Sequence, residues 1–380
     1  MGSQFSFPQF LWATIVMAHQ SKKGRQHRSI ALLIIAASIA VTTGVVRANG
    51  NNVASASPAQ KANDPLGTVQ ALYAAFETGN MEAVRSLIAP DATWTYYGPE
   101  AVLPFAGTRK GPAGVMDFFA KVSATLTDAT ASQREMLVSG DTVTVPGWEE
   151  STVKTTSGHY KVANVHIFKI RDNKIVHFEE YIDSGTVAES FAVADPARGK
   201  AYFTTCSGCH GPNGEGNADM HAPPISGVPS DYILRQLRNF RAGVRGKPDD
   251  FYGYQMVGRA NALPGDLATR DLVSFIATLP GPADNTTRTH DATIAKGKTA
   301  YETCAVCHGA EGEGNGDIGA PPLRRLGAWY VRTQLANFRN GLRGSDPKDA
   351  FGAQMRAALG QVPEDQDAAI SAYVATLSGK

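Results

Sequence analysis

Cys206-Ser207-Gly208-Cys209-His210 is repeated 98 residues later as Cys304-Ala305-Val306-Cys307-His308. These two segments hold all four cysteines of the 380-residue chain, so none is left for a disulfide. Residues at i, i+3 and i+4 share one turn of a helix. Each segment therefore predicts two thiols and one imidazole on the same helical face.

This spacing suits the covalent attachment of a haem. The two thiols can add to the two vinyl groups of the porphyrin, and the histidine can then bind the iron. A thioredoxin-like motif would need a βαβ context, and a zinc site would need four ligands in one cluster; the sequence offers neither. We predict two covalently bound haems c, one on Cys206, Cys209 and His210 and the other on Cys304, Cys307 and His308.

The repeat extends beyond these segments. Ala-Pro-Pro recurs at 222–224 and 320–322, and Asn-Phe-Arg recurs at 239–241 and 337–339. Each copy opens with a helix that carries a glycine and an aromatic residue and continues with a middle helix that has apolar residues at i, i+4 and i+7. We predict two homologous all-α domains of three or four helices, over residues 195–280 and 293–380, that need their cofactor to complete a core.

Met256 and Met355 are the candidates for the remaining iron ligand. They follow the two histidines by 46 and 47 residues, each within Gly-x-Gln-Met, and we expect them in glycine-containing loops before the last helix. A single methionine more often packs in a core, but the duplicated context favours ligation. Met220 and His221 lack counterparts in the second copy and are expected in a loop.

The segment before the repeat follows a different pattern. Apolar residues from Val69 to Phe76 recur at helical spacing, and a second short helix is expected over 81–88. Long strands follow over 135–138, 142–154, 159–171 and 174–183, joined by tight turns. This order predicts an α+β domain over residues 65–191, with a sheet that curls around a cavity.

One face of the predicted strand at 159–171 carries the residues that are expected to line the cavity. Alternation places Tyr160, Val162, Asn164, His166 and Phe168 on the same side. His166 is the best candidate for a polar group in the cavity, and the alternative is a core histidine among packing aromatics. Its candidate neighbours are Tyr73, Trp94, Glu180 and Asp183.

The amino terminus resembles an export signal. Basic residues at 22–28 precede an apolar run at 30–46 and then Val46-Arg47-Ala48, which predicts a signal peptide over 1–48, with Met17 as a more usual start. The alternative is an uncleaved membrane anchor. Either places the remainder outside the cytoplasm, beginning with a flexible linker at 49–64.

Composition excludes one class of partner. Thirty-six basic residues against thirty-five acidic ones leave a net charge of +1, so no overall field draws the chain onto nucleic acid. Hydrophobic residues make up 43%, as in ordinary globular proteins.

Two family resemblances follow from these residues. Residues 65–191 resemble the SnoaL-like, ketosteroid-isomerase-like cone fold, as in Leu72-Tyr73-Ala74-Ala75-Phe76-Glu77-Thr78-Gly79-Asn80 and His166-Ile167-Phe168-Lys169-Ile170. Residues 195–380 resemble tandem class I c-type cytochromes of the diheme cytochrome c4 family, which does not ordinarily carry the front segment.

The cytochrome resemblance implies site residues. The four cysteines would be thioether sites, His210 and His308 proximal ligands, and Met256 and Met355 distal ligands. A proline of each Ala-Pro-Pro, Pro223 or Pro224 and Pro321 or Pro322, would support the proximal histidine.

The function predicted is single-electron transfer between periplasmic or membrane redox proteins, by a chain exported to the periplasm. The front domain is expected to bind a small molecule or to dock a partner, because no convincing set of residues for isomerase-like catalysis is evident. The alternatives are a redox subunit of a dehydrogenase, an enzyme whose front domain acts on a small molecule, and a diheme peroxidase.

Overall fold

The computed structural model describes residues 63–281 and 292–377. These form two compact units: the residues up to Lys154 with Lys161–Ala188, and Thr155–Tyr160 with the residues from Glu189 onward. The predicted signal peptide, most of the linker at 49–64 and most of the connection between the two predicted haem domains lie outside the described residues. Among the helices that are described, none has the length and apolar character needed to cross a bilayer.

The front domain combines four helices with a seven-stranded sheet. The strand order is β2-β1-β7-β6-β5-β3, and β4 pairs with β5. Its elements are α1 (Pro65–Glu77), α2 (Met81–Leu87), β1 (Ile88–Tyr96), β2 (Gly107–Lys110), α3 (Gly111–Thr125), β3 (Leu126–Gln133), β4 (Leu137–Ser139), β5 (Thr142–Val153), β6 (His159–Arg171), β7 (Lys174–Ile182) and α4 (Ser184–Ser190).

The two opening helices and the long strands of the front domain confirm the sequence prediction. The strands joined by tight turns, β4 to β7, pair with one another in chain order, and β1 adds to β7 in parallel. Helix α3 and strand β3 were not predicted. Strand β3 lies at the sheet edge with mostly exposed, polar side chains, so its sequence lacks the alternation that marks a half-buried strand.

Aromatic side chains fill the inner face of this sheet. Trp94 on β1 stacks on Phe178 of the adjacent β7 with ring centroids 3.8 Å apart, and Phe118 and Phe119 of α3 pack against the same indole. The alternation predicted for β6 is also observed, since Tyr160, Val162, Asn164 and Phe168 are buried and their neighbours along the strand are half-buried or exposed. These contacts close the helices over one side of the sheet.

The second unit holds two helical halves with matching order. The first half contains α5 (Pro196–His210), α6 (Ser230–Arg241), α7 (Phe251–Asn261) and α8 (Gly265–Ile276). The second half contains α9 (Ala292–His308), α10 (Ala328–Arg339), α11 (Ala350–Leu359) and α12 (Asp367–Val374). Each half has its own buried apolar cluster.

The first and last helices of each half cross at a glycine. A Cβ at Gly199 would lie 1.9 Å from the Asp271 carbonyl oxygen of α8, and one at Gly297 would lie 2.0 Å from the Ala369 carbonyl oxygen of α12. Only a residue without a side chain permits this approach. The glycine at the start of each copy is therefore a packing requirement.

The candidate methionines lie in helices, so the prediction of loops was wrong. Met256 is within α7 and Met355 within α11. Each helix begins at an aspartate, Asp250 or Asp349, whose carboxylate accepts a hydrogen bond from the backbone N–H three residues later. This N-cap stabilises a helix that the glycines of the segment would otherwise disfavour.

Candidate functional site

The Cys-x-x-Cys-His segments form the last turns of α5 and α9. Cys206 and Cys304 are half-buried, whereas Cys307 is exposed. Burial raises the pKa of the Cys206 thiol, and burial with the negative charge of Asp367 raises that of Cys304 to about 11. A redox-active dithiol needs a lowered thiol pKa, so the raised pKa values of these two thiols disfavour thioredoxin-like chemistry.

Both histidines are oriented by a proline carbonyl. His210 Nδ1 lies 2.8 Å from the Pro223 oxygen, and His308 Nδ1 lies 2.8 Å from the Pro321 oxygen. In each proline pair, the first proline, Pro223 or Pro321, therefore supports the histidine. Because Nδ1–H donates to the carbonyl, Nε2 keeps its lone pair for a metal. Burial also lowers the pKa of both imidazoles, which favours the neutral form.

One cavity reaches into both halves of this unit. His210 and Met256 line it in the first half, and His308 and Met355 line it in the second. Buried leucine and phenylalanine side chains complete the wall, as an apolar macrocycle requires; they are Leu237, Phe240, Leu335 and Phe338. Of the eight predicted haem-binding residues, all but Cys307 line this cavity.

Two buried arginines face each other between the halves. Arg245 donates to Gln236 of its own half at 2.7 Å and to Gln334 of the other half at 3.2 Å. Arg343 mirrors it, donating to Gln334 at 2.8 Å and to Gln236 at 3.2 Å. Tyr232 also accepts from Arg343, at 2.9 Å.

This arginine pair has only neutral hydrogen-bond partners, and the nearest contribution of negative charge to Arg343 is the attraction of Asp349. The hydrogen bonds of both guanidiniums go to neutral amides and phenols, and the buried Nε of each has no hydrogen-bond partner among the described residues. Burial opposes ionisation of Tyr232, yet the attraction of Arg343 and Arg245 lowers its pKa. Haem propionates are carboxylates that would supply the missing negative charge. The cavity, its ligand side chains and these cations therefore fit haem.

Sequence reasoning missed this pair, although the signal was present. The tyrosine, glutamine and arginine of each half recur with the same 98-residue offset as the Cys-x-x-Cys-His segments. The six residues are Tyr232, Gln236, Arg245, Tyr330, Gln334 and Arg343.

Met220 and His221 lie in the turn between the bridge residues Asn217 and Ala222, as predicted. Both line the cavity, but Met220 is 51% exposed. His221 has a positive φ of 50° and stacks on Tyr252 at 4.0 Å. Neither residue has an equivalent on the other side, where Ile318 and Gly319 stand.

The front domain brings together most of the residues predicted around His166. Tyr73 Oη lies 2.6 Å from His166 Nδ1, and Glu180 Oε1 lies 3.2 Å from His166 Nε2. Trp94 is linked to the cluster through Phe178, whose ring centroid is 5.3 Å from that of the imidazole. The prediction for Asp183 was wrong, because its carboxylate is exposed and accepts hydrogen bonds from Thr186 at the start of α4.

Comparison with known proteins agrees with this division of the chain. Residues 69–178 match the SnoaL-like domain family, and residues 196–280 and 294–378 each match the cytochrome c family.

Individual relatives match the carboxy-terminal half. Cytochrome c4 of Thiocapsa roseopersicina is 30% identical over 202 residues, which cover 51% of this chain and 98% of that protein. Cytochrome c4 of Azotobacter vinelandii is 27% identical over 199 residues, covering 50% and 92%. A thiosulfate dehydrogenase electron acceptor of Stutzerimonas stutzeri is 30% identical over 187 residues, covering 46% and 80%.

Two haem attachment segments, two cytochrome c domains and near-complete coverage of cytochrome c4 relatives lead to one conclusion. This chain belongs to the cytochrome c4 family, and it is a diheme electron carrier that binds two haems c covalently and has an additional SnoaL-like domain in front.

Proposed function

We propose that the chain carries single electrons between redox proteins of the periplasm, through one haem held by His210 and Met256 and a second held by His308 and Met355. The observation that carries this proposal is the repeated pairing, in one cavity, of a histidine fixed by a proline carbonyl with a methionine from the third helix of its half. Each haem supplies reversible one-electron chemistry at its iron.

The protein's own residues make this exchange possible without substrate binding. A histidine and a methionine in each half would hold each haem iron with two protein ligands, which would leave no ligand position for a substrate. The apolar wall excludes water, and the buried arginine pair offsets the charge of the carboxylates it would hold. A peroxidase would need one displaceable ligand, and the matching methionines of the two halves disfavour that alternative.

A dehydrogenase is the favoured class of electron donor. The relative from Stutzerimonas stutzeri is an electron acceptor of thiosulfate dehydrogenase, and it shares 30% identity with this half of the chain. Periplasmic location is supported by the export signal predicted at 1–48 and by the haem attachment segments.

The front domain is proposed to be a binding or docking module. Its cluster at His166 lies on the sheet face that carries the aromatic side chains Phe168 and Phe178, and such domains bind small molecules on this face.

The test is to express the full chain in a Gram-negative host with a haem attachment system. The purified periplasmic protein should keep its colour through acid-acetone extraction, and its intact mass should include two haems. It should accept electrons from a dehydrogenase in stopped-flow mixing, and it should not turn over peroxide. Extractable haem, a single attached haem or rapid peroxide consumption would contradict the proposal.

A further inference from the structure

Two short segments outside the predicted haem domains share one compact unit with them. Thr155–Tyr160, here named the turn segment, contains the turn between β5 and β6, and residues 189–192 are here named the joining segment. The two segments are tied together, since Thr156 Oγ1 donates to the Ser190 carbonyl oxygen at 2.6 Å. A Cβ at Gly158 would lie 1.9 Å from the same oxygen, so only glycine permits this approach.

An ion-pair cluster of the first haem domain holds both segments, and it is here named the clasp: Arg238 of α6 with Asp266 and Arg270 of α8. The Asp266 carboxylate accepts a hydrogen bond from the His159 backbone N–H at 3.0 Å. Arg238 bonds to this carboxylate at 2.8 Å and donates to the Ser157 carbonyl oxygen at 2.5 Å. The clasp therefore holds the turn segment through main-chain atoms.

Arg270 binds the joining segment from a buried position. It donates to the Ala192 carbonyl oxygen at 2.6 Å and to the Glu189 carbonyl oxygen at 3.0 Å. It also pairs with Asp266 at 3.0 Å, and its side chain is only 3% exposed. If the joining segment moved away, this buried guanidinium would lose acceptors that water could not replace, which is costly. We therefore expect the two segments and α8 to move together.

The repeat shows that the two arginines of the clasp are not part of the cytochrome pattern. Arg238 is matched in the second domain by Ala336, since each directly precedes the repeated Asn-Phe-Arg. Arg270 is matched by Ala368, since each directly precedes the residue whose carbonyl meets the glycine of the helix crossing. Both alanines are exposed. Only the haem domain that directly follows the front domain thus carries the arginines that hold these segments.

The two helices that carry the clasp also form part of the wall of the haem cavity. Leu237 of α6 lines the cavity, and so do Leu272 and Ile276 of α8. These three side chains are buried in a close-packed cluster, so a movement of either helix changes the wall. Arg238 and Arg270 are one and two residues away from side chains of this wall.

We propose that the clasp is a docking surface for the chain's own turn segment, and that the seated segment fixes α6 and α8 around the first haem. The partner that this surface fits is a tight turn that presents a carbonyl oxygen to a guanidinium and an N–H to a carboxylate. Displacement of the turn segment loosens the wall of the first haem site and leaves that of the second unchanged. This role does not depend on which redox partner the chain has.

The experiment uses the full chain with both haems and follows amide hydrogen exchange by mass spectrometry. In the wild type, the peptide that covers the turn segment should exchange slowly. Arg238→Ala and Arg270→Ala, which install the residues of the second domain, should each speed its exchange about tenfold, because a hydrogen bond to a charged group is lost. Arg332→Ala, which removes an exposed arginine of α10, is the control and should leave this exchange unchanged.

The reverse direction starts from the turn segment. Gly158→Ala forces it away from Ser190 without altering the clasp residues. Exchange in α6 and α8 should then rise about tenfold, and exchange in α10 and α12 should not change. Gly185→Ala is the control, because a Cβ there meets only Asp183 Oδ1, at 3.4 Å. Should Gly158→Ala fail to fold, Thr156→Val, which removes only the hydrogen bond to Ser190, takes its place.

Three results would overturn the proposal. The first is exchange of the turn segment that neither arginine variant of the clasp changes, and the second is an equal effect of Arg332→Ala. The third is a Gly158→Ala variant in which exchange in α6 and α8 rises no more than in α10 and α12. Far-ultraviolet circular dichroism establishes that each variant is folded. Both haems should stay attached in all variants, so failure of this proposal leaves the electron-transfer function intact.

Discussion

The proposed axial methionines can be tested one haem at a time. Met256→Ala and Met355→Ala should each remove half of the weak charge-transfer band that marks a bond between methionine sulfur and ferric iron. The reduction potential of the affected haem should fall, because the thioether stabilises ferrous iron better than water does. Optical redox titration measures both effects.

Met220→Ala is the matched control for these two variants. Met220 lines the same cavity but lies in an exposed turn, so its replacement should leave the band and both potentials unchanged. If instead Met220→Ala removed the band and Met256→Ala did not, the first haem would have the wrong ligand assignment.

At the scale of the helices, the glycine crossings should be intolerant of any side chain. Gly199→Ala would place a methyl group 1.9 Å from the Asp271 carbonyl oxygen, so α5 and α8 would have to separate. We expect a loss of about 3 kcal/mol in the free energy of unfolding, typical of overpacking in a rigid contact. Guanidinium denaturation followed by circular dichroism provides the measurement.

Gly258 serves as the control for this substitution. A Cβ at Gly258 meets no atom within 4 Å, and the residue lies inside α7. Gly258→Ala should be neutral or slightly stabilising, since alanine favours a helix over glycine. Equal stability of Gly199→Ala and wild type would show that the crossing is not tight.

A carboxylate links α6 to α8, and we expect it to make the first haem domain sensitive to acid. Asp266 accepts from Arg238 at 2.8 Å and from Arg270 at 3.0 Å. Burial opposes its ionisation, but the hydrogen bond and attraction of Arg238, the hydrogen bond from the His159 backbone N–H and the attraction of Arg270 together lower its pKa. A group whose pKa is depressed by folding stabilises the fold above its unfolded pKa, near 4, and loses that contribution as the pH falls through the folded value.

Asp266→Asn should therefore cost about 2 kcal/mol of unfolding free energy at pH 7, as expected for hydrogen bonds to a charged group. The difference between variant and wild type should shrink as the pH falls below 4 toward the lowered pKa of the folded wild-type carboxylate, below which that carboxylate is also neutral. Thermal unfolding across pH 2.5 to 7 checks this, and a difference that persists at the lowest pH would contradict the assigned cause.

At the scale of the whole haem unit, the arginine pair should couple the two redox steps. Arg343 bonds to Gln334 of its own half and to Gln236 and Tyr232 of the other. Removing a buried positive charge disfavours the reduced, less positive iron, so Arg343→Gln should lower the potentials by tens of millivolts. It should also weaken the dependence of one haem's potential on the redox state of the other.

Arg332→Gln is the control because Arg332 is exposed on the neighbouring helix α10, where water and salt screen its charge. Potentiometric titration of each variant should show shifts for Arg343→Gln alone. Strictly independent haem steps already in the wild type would contradict coupling through this contact.

The cofactor, the number of haems and the division of the chain could all be predicted from the sequence, because they follow from local chemistry. Two thiols and an imidazole on one helical turn need no distant residue to bind a haem, and the 98-residue repeat needs no structure to be recognised. Strand alternation likewise sufficed to place Asn164, His166 and Phe168 on one face.

Contacts between distant residues were decided only by the tertiary structure. Tyr73 meets His166 across 93 residues, and Arg343 meets Tyr232 across 111. The choice of Pro223 over Pro224 depends on where a carbonyl oxygen points, and Asp183 is removed from the cluster by the cap it provides for α4. No spacing encodes these pairings, since each depends on how separate elements pack against one another.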